Sequence, residues 1–312
     1  MHDSDETARG GRLFSILIGL VSTEDRERIL ETLEELRQQE GGAHFEVIIA
    51  DRRRDDVSRA IAARYPDVRL IASPAGTSLP ELRTRALECA AGDVIVVTED
   101  HCVPPRDWLA RIDEAFSEAP SGTVAVGGCV ENGVVKSDLD WATFFCEYSA
   151  FLSPVTEGTC RSLPGMNVAY LKRAFSGVDR SLLSKGFWET TLHPLLLERG
   201  LVFYSSNKIR MFHSKKFSFR LFASQRYIYS RYYAGLRFEN AGLPRRLCAC
   251  ALSALLPGVL LARASANILG KKRLYKEFAW ALPRLSAFFL IWTFGEMIGA
   301  IAGPSDALSR IE

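Results

Sequence analysis

Glu99, Asp100 and His101 stand together at the end of V-I-V-V-T, residues 94–98, and are the side chains in this chain best placed to do chemistry. Four apolar residues in a row read as a strand covered on both faces, the habit of parallel sheets. Polar residues just beyond the carboxyl end of such a strand lie where open α/β sheets bind their ligands. Glutamate and imidazole can both ligate a divalent cation, and an imidazole in the set tilts the choice from magnesium toward manganese or another transition ion. The alternative reading of such residues is a helix cap or a solvated turn.

The elements that must position this cluster are legible upstream. Residues 13–21 (L-F-S-I-L-I-G-L-V) read as a first strand, with Ser22 and Thr23 as caps for a helix whose apolar face is Ile29, Leu30, Leu33 and Leu36. A second strand at 45–50 ends at Asp51, a second helix covers 57–65, a third strand 68–72, and a third helix 79–91 carries Arg83 and Arg85. Strand and helix thus alternate four times, which predicts an α/β fold with a doubly wound, mostly parallel, Rossmann-like sheet. Right-handed crossovers bring the strand ends to one edge, so Asp51 and the 99–101 cluster should share it. No G-x-G-x-x-G follows the first strand and no G-x-x-x-x-G-K-[ST] occurs, so a glycine loop cannot cradle phosphate and a nicotinamide oxidoreductase is disfavoured. A divalent ion held by the acidic cluster would do the same electrostatic work.

Composition narrows the class. With 312 residues, the chain is long enough for one large domain and an appendage. Lys plus Arg number 39 against 37 Asp plus Glu, a formal charge of +2, so no nucleic-acid partner is expected. Seven cysteines without a C-x-x-C pair fit reduced thiols, and the polar first twelve residues, expected to be disordered, lack the apolar core of a secretory signal. From about residue 247 the chain turns apolar, in runs at 247–262 and 278–303 joined by K-K-R-L-Y-K-E. A two-span hairpin would put Lys271, Lys272, Arg273 and Lys276 on the wrong side for the positive-inside tendency. The runs are therefore expected to lie in or re-enter the membrane interface, with those cations at the headgroups and Trp280 and Trp292 as anchors. The alternative is a buried helical subdomain.

Several motifs, in order along residues 13–213, resemble the family-2 glycosyltransferases with the GT-A fold. V-I-I-A-D (47–51) is similar to that family's strand ending in a base-contacting aspartate, and L-R-T-R-A-L-E-C-A-A-G-D (82–93) to its arginine-bearing helix. E-D-H-C-V-P-P-R-D-W-L takes the place of its D-x-D signature, with Glu99 and His101 in the two acidic positions. S-L-P-G-M-N (162–167) is similar to its G-x-N segment, G-F-W-E-T-T-L-H (186–193) to its acidic motif with Trp188 in place of the first acid, and M-F-H (211–213) to a strand whose histidine completes a metal site.

The resemblance implies a GT-A domain over 13–238 followed by membrane-associated C-terminal helices over 239–312. It implies an inverting enzyme that moves a sugar from a UDP- or GDP-sugar to a glycan or lipid-linked acceptor, in polysaccharide or glycolipid synthesis at the cytoplasmic face of the cell membrane. Glu99, His101 and His213 would hold the metal, manganese rather than magnesium, and Glu189 would be the general base. Asp51 would meet base or ribose, Arg83 an acidic partner or phosphate, Asp100 ribose or the metal ligands, and Gly165 and Asn167 would border donor sugar and acceptor. Plainer roles stand beside these: a structural histidine for His213, a helix-end charge for Glu189, and an ordinary amphipathic helix for the arginine–tyrosine stripe at 220–237. The competing function is a non-catalytic nucleotide-sugar-binding scaffold in a membrane assembly.

Overall fold

The computed structural model describes residues 11–312. The expected disorder of the N-terminal segment falls, as far as residue 10, outside the described residues. Among the described residues nine strands run in chain order: β1 (Leu13–Leu20), β2 (His44–Asp51), β3 (Arg69–Ala72), β4 (Val94–Glu99), β5 (Cys102–Val103), β6 (Thr123–Asn132), β7 (Gly158–Cys160), β8 (Val168–Leu171) and β9 (Val202–His213). The helices are α1 (Arg28–Arg37), α2 (Asp56–Arg64), α3 (Leu79–Glu88), α4 (Trp108–Glu118), α5 (Asp138–Tyr148), α6 (Arg180–Gly186), α7 (Glu189–Glu198), α8 (Phe219–Arg237), α9 (Leu243–Ser253), α10 (Leu256–Lys271), α11 (Tyr275–Ala302) and α12 (Ala307–Arg310).

The strands form one sheet in the order β3-β2-β1-β4-β8-β6-β9-β5, with β7 on β9. Its first half is the parallel product of the alternating strands and helices: β1 pairs with β2 and β4, and β2 with β3, all parallel. Leu20 stands opposite Asp51 and Gly19 opposite Glu99, so the carboxyl ends of β2 and β4 finish level on either side of β1. The second half is mixed, because β8 runs antiparallel between β4 and β6. β5 then pairs antiparallel with β9, with Cys102 opposite His213. That register carries His213 to the end of β4 across more than a hundred residues of chain.

Ser22 and Thr23 do not cap the first helix. α1 begins at Arg28 after Glu27, with no side-chain cap, and the two hydroxyl residues lie in the loop over the strand ends. Asp55 and Ser58 form the capping box of α2 instead.

The C-terminal helices belong to the same core as the sheet. Ala264, Ile268, Ala281, Leu285, Phe288 and Phe289 join the cluster that contains Phe14, Ile16 and Ile18 of β1. Along α11, Gly295 and Gly299 let the backbone close on α8: a Cβ at Gly299 would lie 2.3 Å from the Arg231 carbonyl oxygen, and one at Gly295 1.9 Å from Ser230 Oγ. Among the described residues one helix, α11, is long and apolar enough to cross a membrane, and 44% of its most apolar window is buried against the protein; α9 and α10 form a pair bent by 53°. Leu247, Leu252, Leu255, Leu290 and Phe294 remain exposed on these helices.

Part of this region also serves the protein. Arg273 pairs with both carboxylate oxygens of Glu131 (3.0 and 3.1 Å), and Lys271 donates to the Pro154 carbonyl at 2.6 Å. Trp292 packs near Arg226 and Tyr229 inside the protein, while Trp280 is exposed.

Candidate active site

The strand ends converge on an enclosed cavity of about 390 Å³, within the range of small-molecule sites. It brings together Arg83, Glu99, His101, Gly165, Glu189 and His213. Asp51, Asp100 and Asn167 are not in its wall.

His101 is held from below by Asp100. One Asp100 oxygen accepts from the backbone N–H groups of Val21 and Ser22 (2.9 Å each); the other accepts from Ser22 Oγ (2.6 Å) and meets His101 Nδ1 at 2.8 Å. The carboxylate thus ties the end of β1 to the end of β4 and fixes the imidazole with Nε2 facing the cavity, the usual second partner of a ligating histidine. Burial opposes its charge, but the hydrogen bond and charge of His101, then Lys215 and Ser22, hold the Asp100 carboxyl well below the ordinary range.

His101 Nε2 lies 3.1 Å from His213 Nε2 and 3.3 Å from Glu99 Oε2. Burial and the neighbouring His101 charge push His213 well below the ordinary imidazole value. For His101, burial is outweighed by hydrogen bonds to Asp100 and Glu99, and its pKa rises. Burial likewise opposes the Glu99 charge, yet the hydrogen bond and charge of His101, with Arg83 and His213 behind them, bring the carboxyl down to about 2.

This donor set fits a divalent cation. Two imidazole nitrogens, each about 2.1 Å from one ion and at right angles, would stand about 3.0 Å apart, close to the 3.1 Å found. The anionic Glu99 Oε2 lies 3.3 Å from the same His101 nitrogen. Cys102 Sγ also lies within 4.8 Å of the Glu99 and His101 ligating atoms. Burial and the charges of Glu99 and Asp100 keep it a thiol, a poor ligand, so His213 is the better third donor.

Arg83 is engaged with protein. Its Nη2 donates to Glu99 Oε1 (3.2 Å) and its Nη1 to the Phe187 carbonyl (3.1 Å), which links the Glu99 carboxylate to the start of α7. Glu189 is the first residue of α7. Desolvation raises its pKa, against the pull of its own backbone N–H and of Arg83. Its carboxylate lies directly over the Gly165 Cα: a Cβ there would stand 2.2 Å from Glu189 Oε2. The glycine of the P-G-M-N turn is thus the surface on which the acid rests.

Three residues singled out in the sequence are placed elsewhere. Asp51 turns its carboxylate back to the N–H groups of Arg53 (2.7 Å) and Arg54 (3.0 Å), stabilising the turn after β2. Asn167 is fully buried: it accepts from Trp108 Nε1 at 2.8 Å and donates to the carbonyls of Cys129 and Ile209 at 2.9 and 3.2 Å. Both amide hydrogens are used and the side chain lies outside the cavity wall; it fastens α4 to β6 and β9. Asp100 acts through His101, as above.

The cavity also contains residues that spacing did not reveal. Glu147 of α5 pairs with Arg226 of α8, whose guanidinium sits over the rings of Phe222, Tyr229 and Trp292. Arg226 Nε, Arg83 Nε and Trp188 Nε1 are buried N–H donors without a partner among the described residues. Lys215, two residues beyond His213, could have been found by the same rule that marked Glu99 to His101, polar residues past the end of a strand.

A mostly parallel sheet of this order, carrying acid and imidazole ligands past β4 and an acid above a glycine turn, defines a transferase of the GT-A class. The chain matches the family described as Glycosyl transferase family 2 over residues 20–187, more than half its length, and belongs to that family. No curated protein matches it. Among solved structures it is similar to the mannosyltransferase PcManGT from Pyrobaculum calidifontis, in complex with GDP-Man and Mn2+ (16% identity, TM-score 0.55, covering 93% of this chain and 88% of that one). It is also similar to GalNAc-T7 with UDP, GalNAc and Mn2+ (13% identity, TM-score 0.51, covering 68% of this chain and 45% of that one).

Proposed function

We propose that this glycosyltransferase is an inverting, metal-dependent enzyme that uses a UDP- or GDP-sugar and a glycan or lipid-linked acceptor. The observation that carries the reading is the shared cavity: Glu189, with a raised pKa and a carboxylate seated on Gly165, lines the same wall as Glu99, His101 and His213. An inverting displacement needs a base for the incoming hydroxyl and charge relief for the departing diphosphate. Glu189 is the only one of the predicted site carboxylates in that wall with a raised pKa, which suits proton removal near neutral pH. Held by Glu99, His101 and His213, a divalent cation would act as Lewis acid on the diphosphate, and the two imidazoles favour manganese over magnesium. Arg83 keeps Glu99 ionised and correctly turned, and Asp100, at His101 Nδ1, turns the neutral imidazole so that Nε2 is free to ligate.

The membrane part of the proposal is supported by the wall opposite. Leu260, Arg263 and Asn267 of α10 and Phe289 and Trp292 of α11 line the cavity, and the outer faces of these helices expose leucine and phenylalanine. An acceptor with an apolar tail would lie along this wall at a cytoplasmic membrane surface, in the synthesis of cell-surface polysaccharide or glycolipid.

The test is Glu189→Gln. Transfer should fall at least a thousandfold while calorimetric affinity for UDP or GDP with Mn2+ stays within a factor of about three, because only a transition-state role is removed. Equal loss of nucleotide affinity would sink the base assignment.

A further inference from the structure

The segment after α11 lies across the carboxyl ends of β1 and β2 and inserts a carboxylate beside the metal-ligating cluster. Glu312 Oε1 accepts from Thr23 Oγ1 at 2.6 Å; Oε2 accepts from the Thr23 backbone N–H at 3.1 Å and from Lys215 Nζ at 3.3 Å. The Lys215 and Glu312 side chains are 1% and 7% exposed. Lys215 also donates to Ser22 Oγ at 3.1 Å, the hydroxyl bonded to Asp100. An ammonium, a hydroxyl and a backbone N–H at the end of the first strand therefore converge on one anion, next to His101. A backbone N–H together with a charged donor is how proteins without a glycine loop grip phosphate.

The hold on the segment is limited. Arg52 donates to the carbonyls of Ser309 (3.1 Å) and Ile311 (3.0 Å), and Gln225 bonds the Arg310 carbonyl (3.2 Å) and the Glu312 N–H (3.0 Å). Ala307 and Ile311 supply its buried apolar contacts. At its root, Gly303 and Ser305 have positive φ (77° and 51°) around Pro304, a sharp turn where the chain leaves α11.

We propose that Thr23 and Lys215 are the diphosphate-binding residues of the donor site, and that Glu312 occupies their cradle as a carboxylate mimic until donor displaces it. The inference rests on the nucleotide-diphospho-sugar reading above. It supplies what the missing glycine loop left open: cations and N–H groups for the phosphates, beside the ion. The strap makes binding competitive, since the cradle serves Glu312 or diphosphate but not both. If the strap is closed nine parts in ten, donor affinity is lowered about tenfold.

Calorimetry on the full chain tests this with UDP and GDP, each with Mn2+, and with uridine and guanosine as phosphate-free controls. Glu312→Gln should bind one of the diphosphates about tenfold more tightly than the wild type, with nucleoside affinity unchanged. Lys215→Met should bind it at least tenfold more weakly, again with nucleoside affinity unchanged. Hydrogen exchange of the wild type guards against misfolding of the lysine variant: residues 304–312 should exchange faster when UDP or GDP and Mn2+ are added. Unchanged or weaker diphosphate binding by Glu312→Gln, or slower exchange of the segment with nucleotide, would overturn the proposal while leaving the donor reading standing. If neither diphosphate binds the wild type or Glu312→Gln, the donor reading falls and takes the cradle with it.

Discussion

Replacing Gly165 with alanine is the sharpest probe of the catalytic geometry, because it adds one methyl group without touching a charge. The new Cβ would lie 2.2 Å from Glu189 Oε2 and 3.0 Å from its Cδ. Restoring ordinary contact requires the carboxylate to retreat by about 1.2 Å, since van der Waals contact begins near 3.4 Å. A base displaced by about 1 Å loses on the order of a hundredfold in rate, or about 2.7 kcal/mol of transition-state stabilisation. The acid opens onto the cavity and can swing, so the fold should be unaffected. The assay is release of UDP or GDP from the sugar donor in the presence of acceptor, read as kcat, alongside calorimetric affinity for the nucleotide and a thermal melt. A variant with wild-type kcat would refute the claim that the glycine seats the base. So would a loss of nucleotide affinity as large as the loss of rate.

The remaining expectations follow from the same geometry. Glu189 must be ionised to act, and desolvation raises its pKa, so activity should be present above the raised value and lost as pH falls through it. The acidic limb of kcat/KM, which reports the free enzyme, should therefore lie above 4.5 and move higher still in Arg83→Met, which removes a positive charge that lowers it; a limb at or below 4.5 contradicts the assignment. His213→Ala removes one of two converging nitrogens, and should weaken Mn2+ binding by at least tenfold, measured by metal titration of intrinsic fluorescence. Asn167→Ala strips partners from Trp108 Nε1 and two carbonyls, and should cost about 3 kcal/mol in urea unfolding, with a rate per folded molecule near wild type. His193 is buried beside Tyr170 and depressed by desolvation to about 4. The unfolded chain takes up that proton first, so roughly 3 kcal/mol of stability should drain away as pH falls from 6.5 through about 4; a flat stability profile over that window would count against it.

What the sequence determined was everything carried by local pattern. Alternating apolar strands and amphipathic helices through residue 99 specify the parallel half of the sheet, because each period of two or 3.6 dictates its own element and crossovers are right-handed. An uninterrupted apolar run ending in Glu99, Asp100 and His101 therefore announced a site at the sheet's carboxyl edge, and the acid at the start of α7 could be read from its helix. Tertiary structure decided what depends on partners far away in the chain. Side-chain direction is not encoded by spacing: Asp51 turned to its own loop and Asn167 into the core, and of the two partners open to Arg83, acid or phosphate, the fold supplies the acid, Glu99. The antiparallel pairing of β5 with β9 set His213 against His101 through a register fixed by the packed sheet. Likewise the apolar C-terminal run is ambiguous between core and membrane, because burial against α8 and contact with lipid ask for the same residues. Only the fold shows that α11 packs against α8, α5, α9 and α10 while Trp280, Leu290, Phe294, Ile298 and Ile301 stay exposed.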